Sequence, residues 1–195
     1  MAETDVEQSA TPQTRPEPTT FTSSQEENEH INAFREWASN AEFRFLDQIR
    51  KELIDNLHPI NTHTENRRRV FKRELGIVTE WYAFYTFQQE LAKRKGVRIH
   101  VTKSESENDR KFHFDIEVSV LGKLYYVDLT DSKKEADGKA NLPYAPGHMN
   151  IPAYVDPRHT GVDVVIDIAR ALWPHLGPTQ QREFVPFMQN PSRRS

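Results

Sequence analysis

An α/β domain, in which helices pack on a small mixed sheet, is the fold class that the amino-acid sequence predicts. In the first half of the chain, apolar residues recur every three or four positions, which is typical of helices. After Gly96 the apolar period changes to two, which is typical of strands. The chain has 195 residues, a length that suits one domain with a tail.

The helical part of the chain divides into two stretches. The first covers residues 31–57, follows the capping-box pattern of Ser24 and Glu27, and is expected to bend at residues 39–40. The second is predicted over residues 62–95. Because the first stretch carries more apolar residues than one helix face requires, we expect residues 31–57 to bind a protein partner or a second copy of the chain.

Alternating apolar and polar residues predict the strands of the sheet. These strands are predicted over residues 97–101, 112–120, 124–130 and 162–166. The second and third are expected to form a β-hairpin around Gly122, because glycine suits the tight turn between two alternating runs. Residues 132–160 are predicted to be loop, and a short helix is expected to follow the last strand and end at Trp173.

Charge is distributed unevenly along the chain. Residues 1–30 hold seven of the 29 acidic residues but only one of the 26 basic residues, so the rest of the chain is mildly basic and can meet a polyanion. Residues 1–23 are too polar to bury a core, and we predict a disordered acidic tail there. We assign residues 24–177 to a single α/β domain and expect residues 178–195 to be a weakly structured tail.

Several kinds of protein are excluded by what the composition lacks. Cysteine is absent, which excludes disulfides, zinc–cysteine and iron–sulfur sites and a cysteine nucleophile. No apolar run suits a membrane helix and no secretory signal is present, so we expect an intracellular protein, cytoplasmic or nuclear, that is not secreted. Any metal must then be held by oxygen or histidine ligands, which favours Mg²⁺ or Mn²⁺.

Acidic residues lie on both strands of the predicted hairpin. Asp128 comes directly after an apolar run and, with the turn centred on Gly122, lies close to Asp115 on the neighbouring strand. Two converging carboxylates repel each other unless a cation lies between them, and carboxylate oxygen is the ligand that Mg²⁺ and Mn²⁺ prefer. His113 shares a strand face with Asp115 and is either an additional metal ligand or a solvated surface residue.

In order of elements, residues 66–168 resemble the PD-(D/E)xK nuclease superfamily. The matching segments are Gly76-Ile77-Val78-Thr79-Glu80, Phe114-Asp115-Ile116-Glu117-Val118 and Val127-Asp128-Leu129-Thr130, with Lys133 and Lys134 beyond. The resemblance implies a restriction-endonuclease-like αβββαβ core, here with an added N-terminal helix. It also implies metal-dependent hydrolysis of phosphodiester bonds in RNA or DNA.

Residue by residue, the resemblance assigns roles at the site. Glu80, Asp115 and Asp128 would hold Mg²⁺ or Mn²⁺, with His113 as a further possible ligand. Lys133 or Lys134 would neutralise negative charge that develops on the phosphate.

Two departures from the family pattern leave alternatives open. Phe114 stands where the family has proline, and Thr130 stands where it has lysine. The second acid is either Asp128, as in viral cap-snatching endonucleases with a displaced lysine, or Asp131, within an intact Asp131-Ser132-Lys133 motif. The same departures favour an alternative function, a non-catalytic nuclease-like fold that acts as a regulatory module binding nucleic acid or protein.

A dense basic cluster lies near the start of the second helical stretch. Its members are Arg67, Arg68, Arg69, Lys72 and Arg73. Five basic residues within seven positions can follow a phosphate backbone, so we predict a nucleic-acid-binding surface there. The alternative is an ordinary solvated helix face.

Overall fold

The computed structural model describes residues 14–17, 21, 23–57, 65–104, 114–139 and 150–189. Within these residues the chain forms six helices and a four-stranded mixed sheet, which confirms the α/β class. The helices are α1 (Ser24–Asn40), α2 (Phe43–Leu57), α3 (Glu65–Ala92), α4 (Lys133–Lys139), α5 (Val162–Leu172) and α6 (Pro178–Met188). The strands are β1 (Ile99–Lys103), β2 (Ile116–Val120), β3 (Lys123–Thr130) and β4 (Asn150–Tyr154).

Helices α1 and α2 pack against the first half of α3 and form a separate apolar cluster with it. Trp37 and Leu46 are buried in this cluster, and the ring of Phe43 stacks on Tyr82 with 5.1 Å between ring centroids. Much of the apolar surface that predicted a partner for residues 31–57 is therefore used within the chain. The cap of α1 is Ser23, whose hydroxyl accepts from the Glu26 amide at 3.2 Å, so the predicted cap was one residue late.

The long helix α3 connects the helical layer to the sheet. It begins at Glu65 and continues without interruption through Gly76. Its first half packs on α1 and α2, whereas Tyr82, Ala83 and Phe87 in its second half belong to the apolar core that includes the sheet. Glu80 therefore lies where α3 passes from one apolar cluster to the other.

The strands of the sheet follow one another in sequence order. β1, β2 and β3 are antiparallel neighbours, and β4 lies parallel to β3 at the edge. The predicted hairpin is present: Ile116 pairs with Val127, and the turn uses positive φ at Leu121 (55°) and Gly122 (81°). Two successive residues with positive φ suit the right-handed twist of a two-residue hairpin.

The fourth strand differs from the prediction. Residues 162–166 were predicted to be a strand but form the start of α5, while β4 and α4 arise from the predicted loop at residues 132–160. Residues 140–149 lie outside the described part of the chain. Helix α5 contacts both β4 and α3, so the apolar side chains from Val164 to Leu172 are buried around much of the helix. A short run that is apolar on every side does not distinguish a buried strand from a buried helix.

Arg15 and residues 178–188 both contribute to the domain. The segment after residue 177 was expected to be weakly structured, but residues 178–188 form α6, which buries Phe184 and Phe187 completely. Residues 1–13 and 190–195 are outside the described ranges. Arg15 contacts the fully buried Glu74 at 3.4 Å, because a buried carboxylate requires a cationic partner. Within the described ranges, no helix is long and apolar enough to cross a membrane.

Candidate functional site

Two buried aspartates lie beside each other at one end of the sheet. Asp115 directly precedes β2, and its amide donates to Val127 O on β3 at 2.9 Å. Its carboxylate accepts from the Leu129 amide at 2.6 Å, which fixes the side chain against β3. Asp128 lies within β3, and the two aspartates are only 7% and 5% exposed. The hairpin therefore brings together the carboxylates that the sequence predicted to converge.

The electrostatic environment links these aspartates to Glu80 on α3. Burial raises the pKa of Asp115 well above its usual range, the negative charges of Glu80 and Asp128 raise it further, and Lys103 opposes the shift. Burial also raises the pKa of Asp128, although its hydrogen bond from Lys139 acts in the opposite direction. Because each of these carboxylates affects another, we call Glu80, Asp115 and Asp128 the carboxylate cluster.

Two lysines neutralise the outer members of the carboxylate cluster. Lys103, the last residue of β1, forms an ion pair with Glu80 and donates to the main-chain oxygen of Asp115 at 3.0 Å. Lys139, at the end of α4, donates to Asp128 Oδ1 at 3.1 Å and pairs with Glu135 at 2.9 Å. Burial lowers the pKa of Lys139, but its hydrogen bonds to Glu135 and Asp128 outweigh this effect and raise it.

The two carboxylate oxygens of Asp128 differ in their contacts with the described residues. Within the described residues, Asp128 Oδ2 is buried without a partner of good hydrogen-bond geometry, although the ammonium group of Lys139 lies 2.9 Å away. The lysine therefore supplies charge to this oxygen without satisfying its directional requirement. Such an oxygen remains suited to a further cation.

Thr130 forms hydrogen bonds within the turn between β3 and α4, the helix that ends at Lys139. Its hydroxyl accepts from the Ser132 amide and donates to Glu135, both at 3.2 Å. The Ser132 hydroxyl in turn accepts from the Glu135 amide at 3.3 Å, at the start of α4. Thr130, which stands where the family has lysine, thus stabilises the turn before the helix whose last residue contacts Asp128.

Several predicted site residues lie away from these contacts or outside the described ranges. Lys133 and Lys134 are exposed in the first turn of α4, and His113 is outside the described residues. Asp131 follows the end of β3, and burial raises its pKa while the charge of Lys72 opposes the shift. Of the two candidates for the second acid, Asp128 is therefore the one whose charge acts directly on Asp115.

The predicted basic cluster separates into two groups. Arg69 and Arg73 form ion pairs with the buried Glu27 of α1, and the guanidinium of Arg67 lies 5.4 Å from the Phe71 ring. These arginines therefore stabilise the packing of the chain itself. The second group consists of Arg68 and Lys72, which are exposed, as the three arginines of the first group also are.

Arg68 and Lys72 begin a row along α3 that leads to Glu80. Residues four apart lie on the same side of a helix, so Arg68, Lys72, Gly76 and Glu80 share one row. A Cβ added to Gly76 would have no neighbouring atom within 4 Å, which leaves the surface between Lys72 and Glu80 open. The open row ends at the carboxylate cluster.

Sequence reasoning missed the two lysines that contact the cluster. Lys139 stands four residues after Glu135, a spacing that favours an ion pair on a helix and could have identified it. Lys103 is two residues after Val101, which is itself two residues after Ile99, and both of these are buried. Extending the predicted strand by two residues would therefore have placed Lys103 on the inner face of β1.

Comparison with known proteins gives no further guidance on function. Neither protein-family models, nor characterised proteins, nor solved structures match the chain. The function must therefore be inferred from the residues themselves: a carboxylate cluster with two buried aspartates, two lysines against it and an open basic row that leads to it.

Proposed function

We propose that the protein is a divalent-metal-dependent nuclease that hydrolyses phosphodiester bonds of RNA or DNA. The observation that supports this proposal is the pair of buried aspartates, Asp115 and Asp128, beside Glu80 and with raised pKa values. Like charges in a buried place destabilise a fold, and such groups are concentrated at functional sites. The expected carboxylate ligands of a metal would be Glu80, Asp115 and Asp128.

The order of elements also supports the proposal. α3 carries Glu80, three antiparallel strands follow, and α4 leads to the parallel strand β4. This is the αβββαβ order of the PD-(D/E)xK superfamily that the sequence resembles, with α1 and α2 added in front. We therefore propose a restriction-endonuclease-like core whose site lies at the end of the hairpin.

The chemistry of the donor atoms fits Mg²⁺ or Mn²⁺. Carboxylate oxygens are their preferred ligands, and Asp128 Oδ2 is a buried acceptor without a good hydrogen bond. Within the described residues no three acidic or histidine side chains are gathered closely enough to hold a metal as they stand. Lys103 and Lys139 contact Glu80 and Asp128, so binding of a metal requires these ammonium groups to withdraw.

A bound metal and individual residues of the chain would have separate roles in hydrolysis of the phosphodiester bond. A bound metal would activate water and stabilise charge on the phosphate oxygens. The Leu129 amide orients the Asp115 carboxylate. We assign to Lys139, rather than to the exposed Lys133 or Lys134, the task of stabilising the negative charge that develops on phosphate. Lys139 is the lysine of α4 that reaches the carboxylate cluster, so it remains near the phosphate when it withdraws from Asp128.

Asparagine in place of Asp128 is expected to reduce cleavage to background. Purified protein with millimolar Mn²⁺ should cleave labelled single-stranded RNA or DNA, and Asp128→Asn should not, because the substitution removes a charge that the metal requires. Asp55→Asn is the matched control, since Asp55 is an exposed aspartate of α2 and its substitution should leave cleavage unchanged. Equal cleavage by Asp128→Asn and the wild type, or no cleavage by either, would contradict the proposal.

Removal of Arg68 and Lys72 together should weaken nucleic-acid binding. Each phosphate contact contributes about 0.7–0.9 to the slope of log affinity against log salt, so the double alanine variant should bind with a slope shallower by about 1.5. Fluorescence anisotropy at several salt concentrations measures this slope. The control, Arg35→Ala/Lys95→Ala, removes two exposed basic residues elsewhere and should retain the slope. Equal losses in both variants would show that only overall charge matters.

A second candidate function is a non-catalytic, nuclease-like module that binds nucleic acid or protein. The observation that favours it is that Lys103 and Lys139 already neutralise Glu80 and Asp128 without a metal. Under this alternative, the double alanine variant would still lose nucleic-acid affinity, but Mn²⁺ would neither bind to the protein nor raise its melting temperature. Thermal unfolding with and without Mn²⁺ separates the two candidates.

A further inference from the structure

Lys103 occupies a place that is built for a cation. It is the last residue of β1, its side chain is only 13% exposed, and its ammonium group forms an ion pair with Glu80. The same nitrogen donates to Asp115 O at 3.0 Å and lies 4.9 Å from the centre of the Trp81 ring. A carboxylate, a carbonyl oxygen and an aromatic face all attract positive charge.

The charge of Lys103 acts on the centre of the carboxylate cluster as well as on Glu80. It opposes the increase in the pKa of Asp115 that burial and Glu80 cause. Lysine side chains usually extend to water, whereas this one is held inside by three contacts. Lys103 therefore reduces the repulsion among buried carboxylates that a metal ion would otherwise have to reduce.

Lys139 and Lys103 differ in whether a second carboxylate partner remains after the lysine withdraws from the carboxylate cluster. Lys139 contacts both Asp128 and Glu135, so it can leave Asp128 and keep an ion pair within α4. Within the part of the chain that the structure describes, Lys103 has one carboxylate partner, Glu80, together with a neutral carbonyl oxygen and an aromatic ring. Among these contacts, no second carboxylate replaces Glu80 when Lys103 withdraws from it.

We propose that Lys103 is a built-in cation that stabilises the carboxylate cluster in the metal-free protein and lowers its affinity for a divalent metal. A metal ion at Glu80 would compete with the ammonium group for the same carboxylate and would be repelled by it at short range. This inference rests on the proposed function, because it concerns the metal that the cluster would hold. The inference assigns to Lys103 the regulation of metal binding at the carboxylate cluster.

Replacement of Lys103 by methionine should change two measurements in opposite directions. Without metal, Lys103→Met should melt at a lower temperature, because the buried carboxylates lose their counter-charge. In calorimetric titration with Mn²⁺ alone, the variant should bind about tenfold more tightly or better, because a repelling charge has been removed. A lysine with only a structural role would lower the melting temperature without increasing affinity.

Two control variants isolate the effect of charge at this position. Lys103→Arg keeps a cation and should bind Mn²⁺ with nearly wild-type affinity. Lys93→Met removes another lysine–glutamate ion pair, that of Lys93 with Glu90 on α3, and should leave Mn²⁺ affinity unchanged. Weaker or unchanged binding by Lys103→Met, with Mn²⁺ still bound by the wild type, would overturn this inference and leave the proposed function standing.

A measurement on the wild-type protein covers the case in which Lys103→Met does not fold. Labelling with an amine-reactive reagent, followed by mass spectrometry, reports how accessible Lys103 is. Addition of Mn²⁺ should increase labelling of Lys103, because the metal displaces its ammonium group from Glu80. Unchanged or decreased labelling at a Mn²⁺ concentration that saturates the protein would overturn the inference. Absence of any Mn²⁺ binding to the wild type would overturn the proposed function together with it.

Discussion

Replacement of Asp115 by asparagine is expected to make the protein more stable at neutral pH and to abolish the proposed cleavage of nucleic acid. Asparagine retains an oxygen that accepts from the Leu129 amide, so the main hydrogen bond of the side chain survives. It removes the negative charge that burial, Glu80 and Asp128 all disfavour. Each unit by which those effects raise the pKa corresponds to about 1.4 kcal/mol of lost stability once the group is ionised.

The gain in stability should depend on pH in a defined direction. Because the pKa of Asp115 is higher in the folded than in the unfolded protein, the folded state binds the extra proton between the two values. The wild type therefore loses stability as pH rises through this interval. The advantage of Asp115→Asn should be small below the unfolded value of 3.8 and should grow as pH rises through the folded-state pKa.

Urea unfolding of both proteins at several pH values measures this difference. Asp47→Asn is the matched control, for which we expect a change in stability of the opposite sign. Burial raises the pKa of Asp47, but hydrogen bonds from Arg50 and Lys51 outweigh it and lower the pKa, so its loss should destabilise the protein. A stability difference for Asp115→Asn that is negative at neutral pH, or does not grow with pH, would contradict the electrostatic description of the cluster.

Replacement of Arg50 by methionine is expected to have the largest effect on folding. Arg50 is 2% exposed and reaches from α2 to the loop after β4, where it donates to Pro157 O and, at 3.2 Å, to His159 O. It also pairs with Asp47 at 2.7 Å and lies over the Tyr82 ring at 4.1 Å. Methionine fills similar space but leaves these partly buried acceptors without their donor.

The cost of losing Arg50 should be about 3 kcal/mol or more, which lowers the melting temperature of a chain of this size by about 10 °C. Thermal unfolding measures the change. Arg44→Met is the control, because Arg44 is 73% exposed in the same helix and its ion pair with Glu42 should contribute about 0.5 kcal/mol or less. Similar shifts for both variants would show that the buried contacts of Arg50 add little.

The hairpin and its acidic residues could be predicted from the sequence because their pattern is local. The alternation that surrounds Asp115, the glycine at the turn and the apolar run before Asp128 determine the register together. The Ser24 cap illustrates a limit of such patterns. Glutamates stand three residues after both Ser23 and Ser24. The structure uses Ser23 as the cap, and Glu27 forms an ion pair with Arg69.

The fourth strand and helix α4 depend on packing that a single sequence does not display. The apolar side chains of α5 are explained by its position between β4 and α3, and the same run alone suits a strand. Helix α4 has only one buried residue, Ala136, so its sequence contains no periodic apolar pattern that would predict a helix. Lys139 was consequently assigned to a loop, although that helix returns it to Asp128.

The most direct measurement is anomalous diffraction from crystals of the protein soaked with Mn²⁺. A bound ion scatters strongly, so its position can be compared with the carboxylate oxygens without any assay of activity. The expected result is one or two peaks within about 2.5 Å of oxygens of Asp115 and Asp128, with Lys103 withdrawn from Glu80. Absence of a peak at the carboxylate cluster, with Lys103 still paired to Glu80 and Lys139 to Asp128, would contradict a metal-dependent site.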